Sequence, residues 1–183
     1  DGSCTYDVVQ LLSDGYCIGE LVESGIFWQD FQGVSYEGGI IVYISSNEGK
    51  ALICDEENLP GVYDWGCTGT PLGLPNSTWQ GYNNTISIVT GGCPDYPNAA
   101  QAAYSSSKDG YTDWFLPSVY ELYRAYQSVG SPIPNYTSGQ DFWSSVDYNT
   151  STALAWDSND GTSGYSSSKS NSLYVRMMRY VDI

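Results

Sequence analysis

The fold of this chain is decided by residues 110–126, GYTDWFLPSVYELYRAY, which change from an extended to a helical pattern at Pro117. A proline biases the residue before it away from helix, so the first half reads as an extended segment. Ser118 and Glu121 have the spacing of a capping box, in which each side chain accepts a hydrogen bond from the backbone amide of the other residue. Apolar residues then recur at spacings of three and four: Val119, Leu122, Tyr123 and Tyr126. The stretch predicts a capped helix that ends near Gly130.

Working outward, the pattern of the other segments predicts an antiparallel sheet with two to three helices. The apolar run 40–44 follows a double glycine and is typical of a central buried strand, and residues 51–54 pair back with it as a hairpin. Further strands are predicted at 142–146, 152–156 and 173–181, with a turn at Asp160-Gly161, and further helices within 84–89 and 97–107. Residues 55–75 are predicted to be a long loop.

Charge excludes several classes of partner. The 183 residues carry a net charge of −15, and residues 1–66 hold twelve acids with Lys50 as their single base. A chain this acidic repels polyanions, so nucleic acid and anionic lipid surfaces are not expected as partners. Because the chain has no histidine, triads that use histidine as a base are excluded, and so are zinc sites with a histidine ligand. We therefore predict no enzyme activity.

Five cysteines in a lysine-poor chain predict disulfides formed in an oxidising, extracellular compartment. We expect Cys67 to pair with Cys93, which would close a long loop, and Cys4 to pair with Cys17, which leaves Cys54 over. The chain begins at Asp1, as it would after removal of a signal peptide. No run of 18 apolar residues is present, so no membrane span is expected.

Seven motifs in order resemble a known family. They are Gly38-Gly39-Ile40-Ile41-Val42-Tyr43, Trp65-Gly66-Cys67, Tyr82-Asn83-Asn84-Thr85, the stretch 110–118 with Glu121-Leu122, Phe142-Trp143-Ser144-Ser145, Ala155-Trp156, and Lys169-Ser170-Asn171 with Tyr174-Val175-Arg176. Across residues 33–181 the chain resembles the family named after the C-terminal domain of the bacterial collagen-like protein Lcl. The resemblance implies an α+β, C-type-lectin-like fold, with a twisted antiparallel sheet, two to three helices and long stapled loops.

The same resemblance implies a secreted or surface-attached bacterial adhesion module. The family's name-giving member binds sulfated glycans, but the acidity of this chain argues against such ligands, so we expect a neutral glycan or a surface protein. In lectin-like folds the loops at one end of the sheet commonly carry the ligand. By that analogy the predicted binding residues are Asp147, Tyr148, Asn149, Asn159, Tyr165 and Asn171.

Other residues that could carry chemistry have simpler interpretations. Trp114, Trp143 and Trp156 could stack on sugars, but their places within the motifs favour core packing. The acids of 157–161 and 55–57 could hold Ca²⁺, yet the first group lacks the spacing and the distant glutamate of a calcium loop, and a solvated acidic turn is the simpler interpretation of the second. No cofactor is therefore predicted. Arg176 is expected to be a buried partner of Asp113 or Glu121.

Residues 1–32 have no counterpart in the resemblance and form an N-terminal extension before a domain at 33–183. The extension is unusually apolar, through Val8, Val9, Leu11, Leu12, Ile18, Leu21 and Val22. One hypothesis makes it a docking arm through which copies of the chain assemble into a filament or surface layer. The alternative is that it packs on its own domain.

Overall fold

A computed structural model describes residues 7–91, 93, 97–128, 139–157 and 164–183, and of residue 128 only the backbone. Five α-helices lie in these ranges: α1 (Val8–Ser13), α2 (Ile18–Glu23), α3 (Gly81–Thr90), α4 (Ala99–Tyr104) and α5 (Val119–Ser128). Two 3-10 helices span Trp28–Phe31 and Lys108–Gly110. Cys4, Asn159, the Asp160-Gly161 turn and the predicted helix stop at Gly130 lie outside the described residues.

The strands form three antiparallel sheets. Their bounds are β1 (Ser35–Tyr36), β2 (Gly39–Ser45), β3 (Lys50–Asn58), β4 (Tyr63–Asp64), β5 (Asp141–Asp147), β6 (Thr152–Asp157), β7 (Gly164–Ser168), β8 (Ser172–Leu173) and β9 (Arg176–Asp182). The first sheet has the order β1-β2-β3-β9, the second pairs β4 with β8, and the third has the order β5-β6-β7. The prediction of an α+β fold with antiparallel strands is therefore confirmed, but the described strands are divided among three sheets where a single sheet was predicted.

Strand β2 is apolar on both faces because both faces are covered. Ile40 and Val42 belong to a core that includes Phe115 and Leu122, so helix α5 covers this side. Ile41 and Ile44 belong to a second core on the other side. A shift of register between Ile41 and Tyr43 interrupts the pairing with β3.

The second core is built from the N-terminal extension. Val8, Ile18, Leu21, Ile26 and Phe31 are buried there against β2 and β3. The approach is close at Gly19, where a Cβ atom would lie 2.7 Å from the carbonyl carbon of Ile183. The extension therefore shares a core with the sheet and covers one face of it.

The stretch 110–126 forms the predicted corner. Phe115 bridges Met178 of β9, and helix α5 begins directly after Ser118. The capping box is confirmed: the Ser118 amide donates to Glu121 Oε2 at 2.7 Å, and the Glu121 amide donates to Ser118 Oγ at 3.3 Å. Glu121 is fully buried and also accepts from the Trp79 amide and the Tyr180 hydroxyl.

The single last strand predicted at 173–181 is wrong, because the chain changes sheets there. Leu173 pairs with Tyr63 in β4, whereas Arg176 pairs with Asn58 in β3. Tyr174, between them, donates its amide to the Asp141 carbonyl and accepts from the Trp143 amide. These hydrogen bonds hold Tyr174 beside β5, so the chain is not one continuous strand from 173 to 181.

Candidate functional site

The turn after β5 and the turn after β7 lie side by side at one end of the third sheet. The register places Thr152 opposite Ser168. The amides of Tyr148 and Asn149 donate to the Thr152 carbonyl at 3.0 and 3.1 Å, and the Lys169 amide donates to the Ser151 carbonyl at 2.9 Å. We call residues 148–151 and 168–171 together the late-loop surface.

The exposed side chains of the late-loop surface are uncharged. Tyr148 is 66% exposed. Asn149 Oδ1 accepts from the amides of Ser151 and Thr152, at 2.8 and 2.9 Å, and this bonding shapes the turn. Asn171 Nδ2 donates to Ser167 Oγ at 2.9 Å. Hydroxyl and amide groups of this kind can exchange hydrogen bonds with neutral polar ligands.

The prediction of Asp147 as a binding residue is wrong, because the residue is only 9% exposed and its carboxylate accepts internal hydrogen bonds. Its two oxygens accept from the backbone amides of Leu72, Gly73 and Leu74, at 2.6, 3.2 and 2.8 Å. Such charge-assisted bonds to a buried carboxylate are strong. The residue therefore fastens the loop at 72–74 to the end of β5.

Tyr165 does not join the late-loop surface. It lies opposite Ala155, three residues along β7 from Ser168, which is about 10 Å away. Its hydroxyl donates to Asp141 Oδ2 at 2.6 Å. Burial, together with this carboxylate, raises the pKa of Tyr165 above its usual value. The structure thus brings together Tyr148, Asn149 and Asn171, while Asn159 lies outside the described residues.

Lys169 belongs to the turn 168–171, but its side chain points inward, and no functional role was predicted for it from the sequence. The residue is fully buried, and its ammonium donates to the Thr70 carbonyl at 3.0 Å and lies 4.6 Å from the Trp65 ring centroid. Burial lowers the pKa of Lys169, and the nearby Asp147 opposes that shift. The one signal in the sequence was that Lys169 belongs to one of the seven family motifs. Its burial could not be predicted from the sequence. Its role here is to hold the turn at 67–70 against the late loops.

The predicted disulfide between Cys67 and Cys93 is confirmed and closes the same loop region. The two residues are separated by 26 positions, and their Cα atoms are 4.7 Å apart. Cys54 is buried with a free thiol, and burial raises its pKa to about 12. Cys17 is exposed with a free thiol, so the bridge predicted between Cys4 and Cys17 is wrong at Cys17; Cys4 itself lies outside the described residues.

The acids at 55–57 hold a lysine. Asp55 is buried, and its carboxylate lies 2.5 Å from the Lys108 ammonium, with Glu57 at 3.4 Å on the other side. The solvated turn predicted for residues 55–57 is therefore wrong, because all three lie within strand β3 and Asp55 is buried. Within the described ranges, no group of three or more Cys, Asp or Glu residues could hold a metal ion. Of the acidic group at 157–161, residues 158–161 lie outside the described residues.

The tryptophans of the motifs are core residues, as predicted: Trp114, Trp143 and Trp156 are at most 1% exposed. The partner predicted for Arg176 is wrong. Arg176 donates to Asn58 Oδ1 and to the Asp55 carbonyl, whereas Arg179 forms the bidentate pair with Asp113 at 2.8 and 3.0 Å.

Six of the seven apolar residues predicted for assembly pack within their own chain. Val8, Ile18 and Leu21 are buried in the second core, and Leu11, Leu12 and Val22 pack against it. Only Val9 of this set is exposed, at 61%. The extension thus adopts the intramolecular arrangement given above as the alternative.

A scan of the chain against protein-family models finds no match, and a search of curated proteins finds none either. The Lcl C-terminal-domain-like family therefore stays a prediction from the seven motifs. None of the described helices is long and apolar enough to cross a membrane.

Proposed function

We propose that this protein is an extracellular, non-catalytic recognition module of C-type-lectin-like fold, which binds neutral glycans through the late-loop surface. The observation that carries the proposal is the absence of exposed charge at residues 148–151 and 168–171 in a chain of net charge −15. Such a surface offers a ligand uncharged donors and acceptors, which match the hydroxyl groups of a neutral sugar. The antiparallel α+β architecture and the disulfide-stapled loops support the lectin-like assignment.

The surface is also rigidly supported, which favours a binding role. Asp147 and Lys169 fix the loops behind it through buried, charge-assisted hydrogen bonds. Rigid presentation lowers the entropy that a site loses on binding. Tyr148 supplies an exposed aromatic ring beside the hydroxyl and amide groups, and aromatic residues often dominate binding energy.

An array of neutral oligosaccharides, probed with and without Ca²⁺, tests the proposal. We expect binding by the wild type and a tenfold or greater loss in Tyr148→Ala, a loss on the scale of a hot-spot residue. Tyr120→Ala is the matched control, since Tyr120 is 51% exposed on helix α5 and lies outside this surface. A folded protein that binds no neutral glycan would refute the proposal. If it instead binds a surface protein, and Tyr148→Ala abolishes that binding, the partner is the surface protein predicted as the alternative to a glycan.

The second proposal, a filament or surface-layer subunit, rests on the apolar groups that the extension leaves exposed. The two most exposed of them among the described residues are Val9 and Phe27, at 61% and 73%. If they mediate assembly, the double change Val9→Ser with Phe27→Ser should reduce the sedimentation coefficient of wild-type oligomers to that of a monomer. A wild type that sediments as a monomer at high concentration would contradict this function.

A further inference from the structure

A groove separate from the late-loop surface lies between the 3-10 helix Trp28–Phe31, strand β2 and helix α5. Its volume is about 410 Å³, within the range of clefts that hold small ligands. Two aromatic rings, three amides and one guanidinium line it: Trp28, Tyr43, Gln29, Gln32, Gln127 and Arg124. We propose that this groove binds a pyranose that bears one carboxylate, such as the acidic terminal sugar of an otherwise neutral glycan.

The argument begins with the cations of the chain, all six of which are described. Two of them, Lys108 and Arg179, form salt bridges with carboxylates. Lys169 and Arg176 are fully buried and donate to internal oxygens. Lys50 and Arg124 form no salt bridge within the described residues and lie over tyrosine rings, a contact that Arg179 also makes with Tyr111.

Arg124 alone among these cations lines the groove, and it has no acid partner among the described residues. Its guanidinium carbon lies 4.5 Å from the centroid of the Tyr43 ring. This cation–π contact positions the guanidinium but leaves its N–H groups available to donate hydrogen bonds to a ligand. The planar arrangement of those donors matches a carboxylate in bidentate geometry.

The charge of the protein limits how acidic the ligand can be. A polyanion would be repelled by the net charge of −15, because its many charges sample the field of the whole surface. A single carboxylate placed against Arg124 is in direct contact with that cation, while screening reduces its repulsion by acids more than about 8–10 Å away. Asp30 follows Gln29 in the 3-10 helix that forms one wall of the groove, and its charge disfavours a second negative charge on the ligand. One carboxylate on an otherwise neutral molecule is therefore the class of anion that this groove favours.

The remaining lining groups suit a sugar ring. Trp28 is 36% exposed, and its orientation is held by an edge contact with Tyr43 at 6.1 Å between ring centroids. An exposed indole can cover the apolar C–H face of a pyranose. Each of the three glutamines can donate to and accept from hydroxyl groups, and Gln127 already donates to the Tyr123 hydroxyl.

The test compares two ligands that differ in one group, methyl β-D-glucuronide and methyl β-D-glucoside, with methyl α-sialoside as a second acidic probe. Binding is followed by two-dimensional amide NMR of the whole chain. We expect the wild type to bind at least one acidic glycoside tenfold or more tightly than the glucoside, with shifts at Trp28 and Gln127. Arg124→Gln should remove that preference, and Trp28→Ala should weaken acidic and neutral glycosides alike.

Tyr148→Ala is the control that separates this site from the late-loop surface, and it should leave glucuronide binding unchanged. Equal affinity for the glucuronide and the glucoside would overturn the proposal, as would a preference that survives in Arg124→Gln. Binding of a short peptide through its free C-terminal carboxylate, with no response to any glycoside, would also overturn it and would make the groove a peptide site.

Discussion

The N-terminal extension provides the sharpest test of the structure, through the substitution Leu21→Ala. Leu21 lies on helix α2 and is 4% exposed, in a core with Ile18, Phe31 and Ile41. If the extension packs on its own sheet, removing this side chain leaves a cavity inside the protomer. If the extension is a docking arm, the same change weakens contacts between protomers.

The expected loss follows from burial. A fully buried leucine replaced by alanine costs about 3–5 kcal/mol, because lost transfer free energy and cavity formation add. Val9→Ala is the matched control on the preceding helix α1, where the side chain is 61% exposed, and it should change stability by less than about 0.5 kcal/mol. At a urea slope of about 2 kcal/mol/M, the Leu21 variant should unfold at a midpoint about 1.5–2.5 M lower.

Urea unfolding is followed by tryptophan fluorescence at several protein concentrations. We expect the midpoint shift in Leu21→Ala to be independent of concentration, since the cavity lies within one chain. The reasoning is refuted if Leu21→Ala unfolds at the wild-type midpoint, or if its shift vanishes on dilution together with oligomers detected by sedimentation.

Three further predictions concern buried titratable groups and cysteines. Burial raises the pKa of Glu121, although hydrogen bonds to its carboxylate oppose the shift, so the folded state holds the proton more tightly than the unfolded chain does. The free energy of unfolding should therefore fall as the pH rises above about 4.5. Urea unfolding of the wild type and of Glu121→Gln over a series of pH values should show this fall in the wild type and not in the variant. Replacing Cys67 and Cys93 together by serine should cost about 3.5 kcal/mol in the loop-entropy estimate for 26 residues, and an unchanged melting temperature would contradict it. Alkylation of the native protein with iodoacetamide should label the exposed thiol of Cys17 and spare Cys54, because burial raises the pKa of Cys54 to about 12. Peptide mass spectrometry reads the labels, and an unlabelled Cys17 would contradict its free, exposed state.

Part of the candidate site could be predicted because it depends on local chemistry. Tyr148 and Asn149 follow a predicted strand, and tyrosine and asparagine in a turn are exposed for local reasons. Asp147 has the same local setting but a different environment. Its partners are the amides of 72–74, more than seventy positions away in the chain. Neighbouring residues therefore gave no sign that this carboxylate is buried.

The extension shows the same limit at the level of the fold. Apolar residues at helical spacing predict that a face of the segment is covered, but they do not say by what. A strand that is apolar on both faces must be covered by one element on each face. Ile41 and Ile44 lie on the face of β2 that packs against the extension. Helix α5 covers one face of β2 and the extension covers the other. Which face each of them covers depends on how the strand twists and pairs, and this is not readable from the sequence.

By itself the sequence determined the features that rest on near neighbours and on composition. These are the capped helix after Pro117, the apolar strand at 40–44, the Cys67–Cys93 pairing, and the net charge of −15, from which we expect no polyanionic partner. The tertiary structure decided which charged groups are satisfied internally and which remain available. Asp147 and Arg176 find internal partners, whereas Arg124 has no carboxylate partner among the described residues and lies over the ring of Tyr43, 81 positions earlier in the chain. The physical reason is that a charge is stabilised or left available by groups within a few ångströms in space, and those groups are brought there by pairing between distant segments.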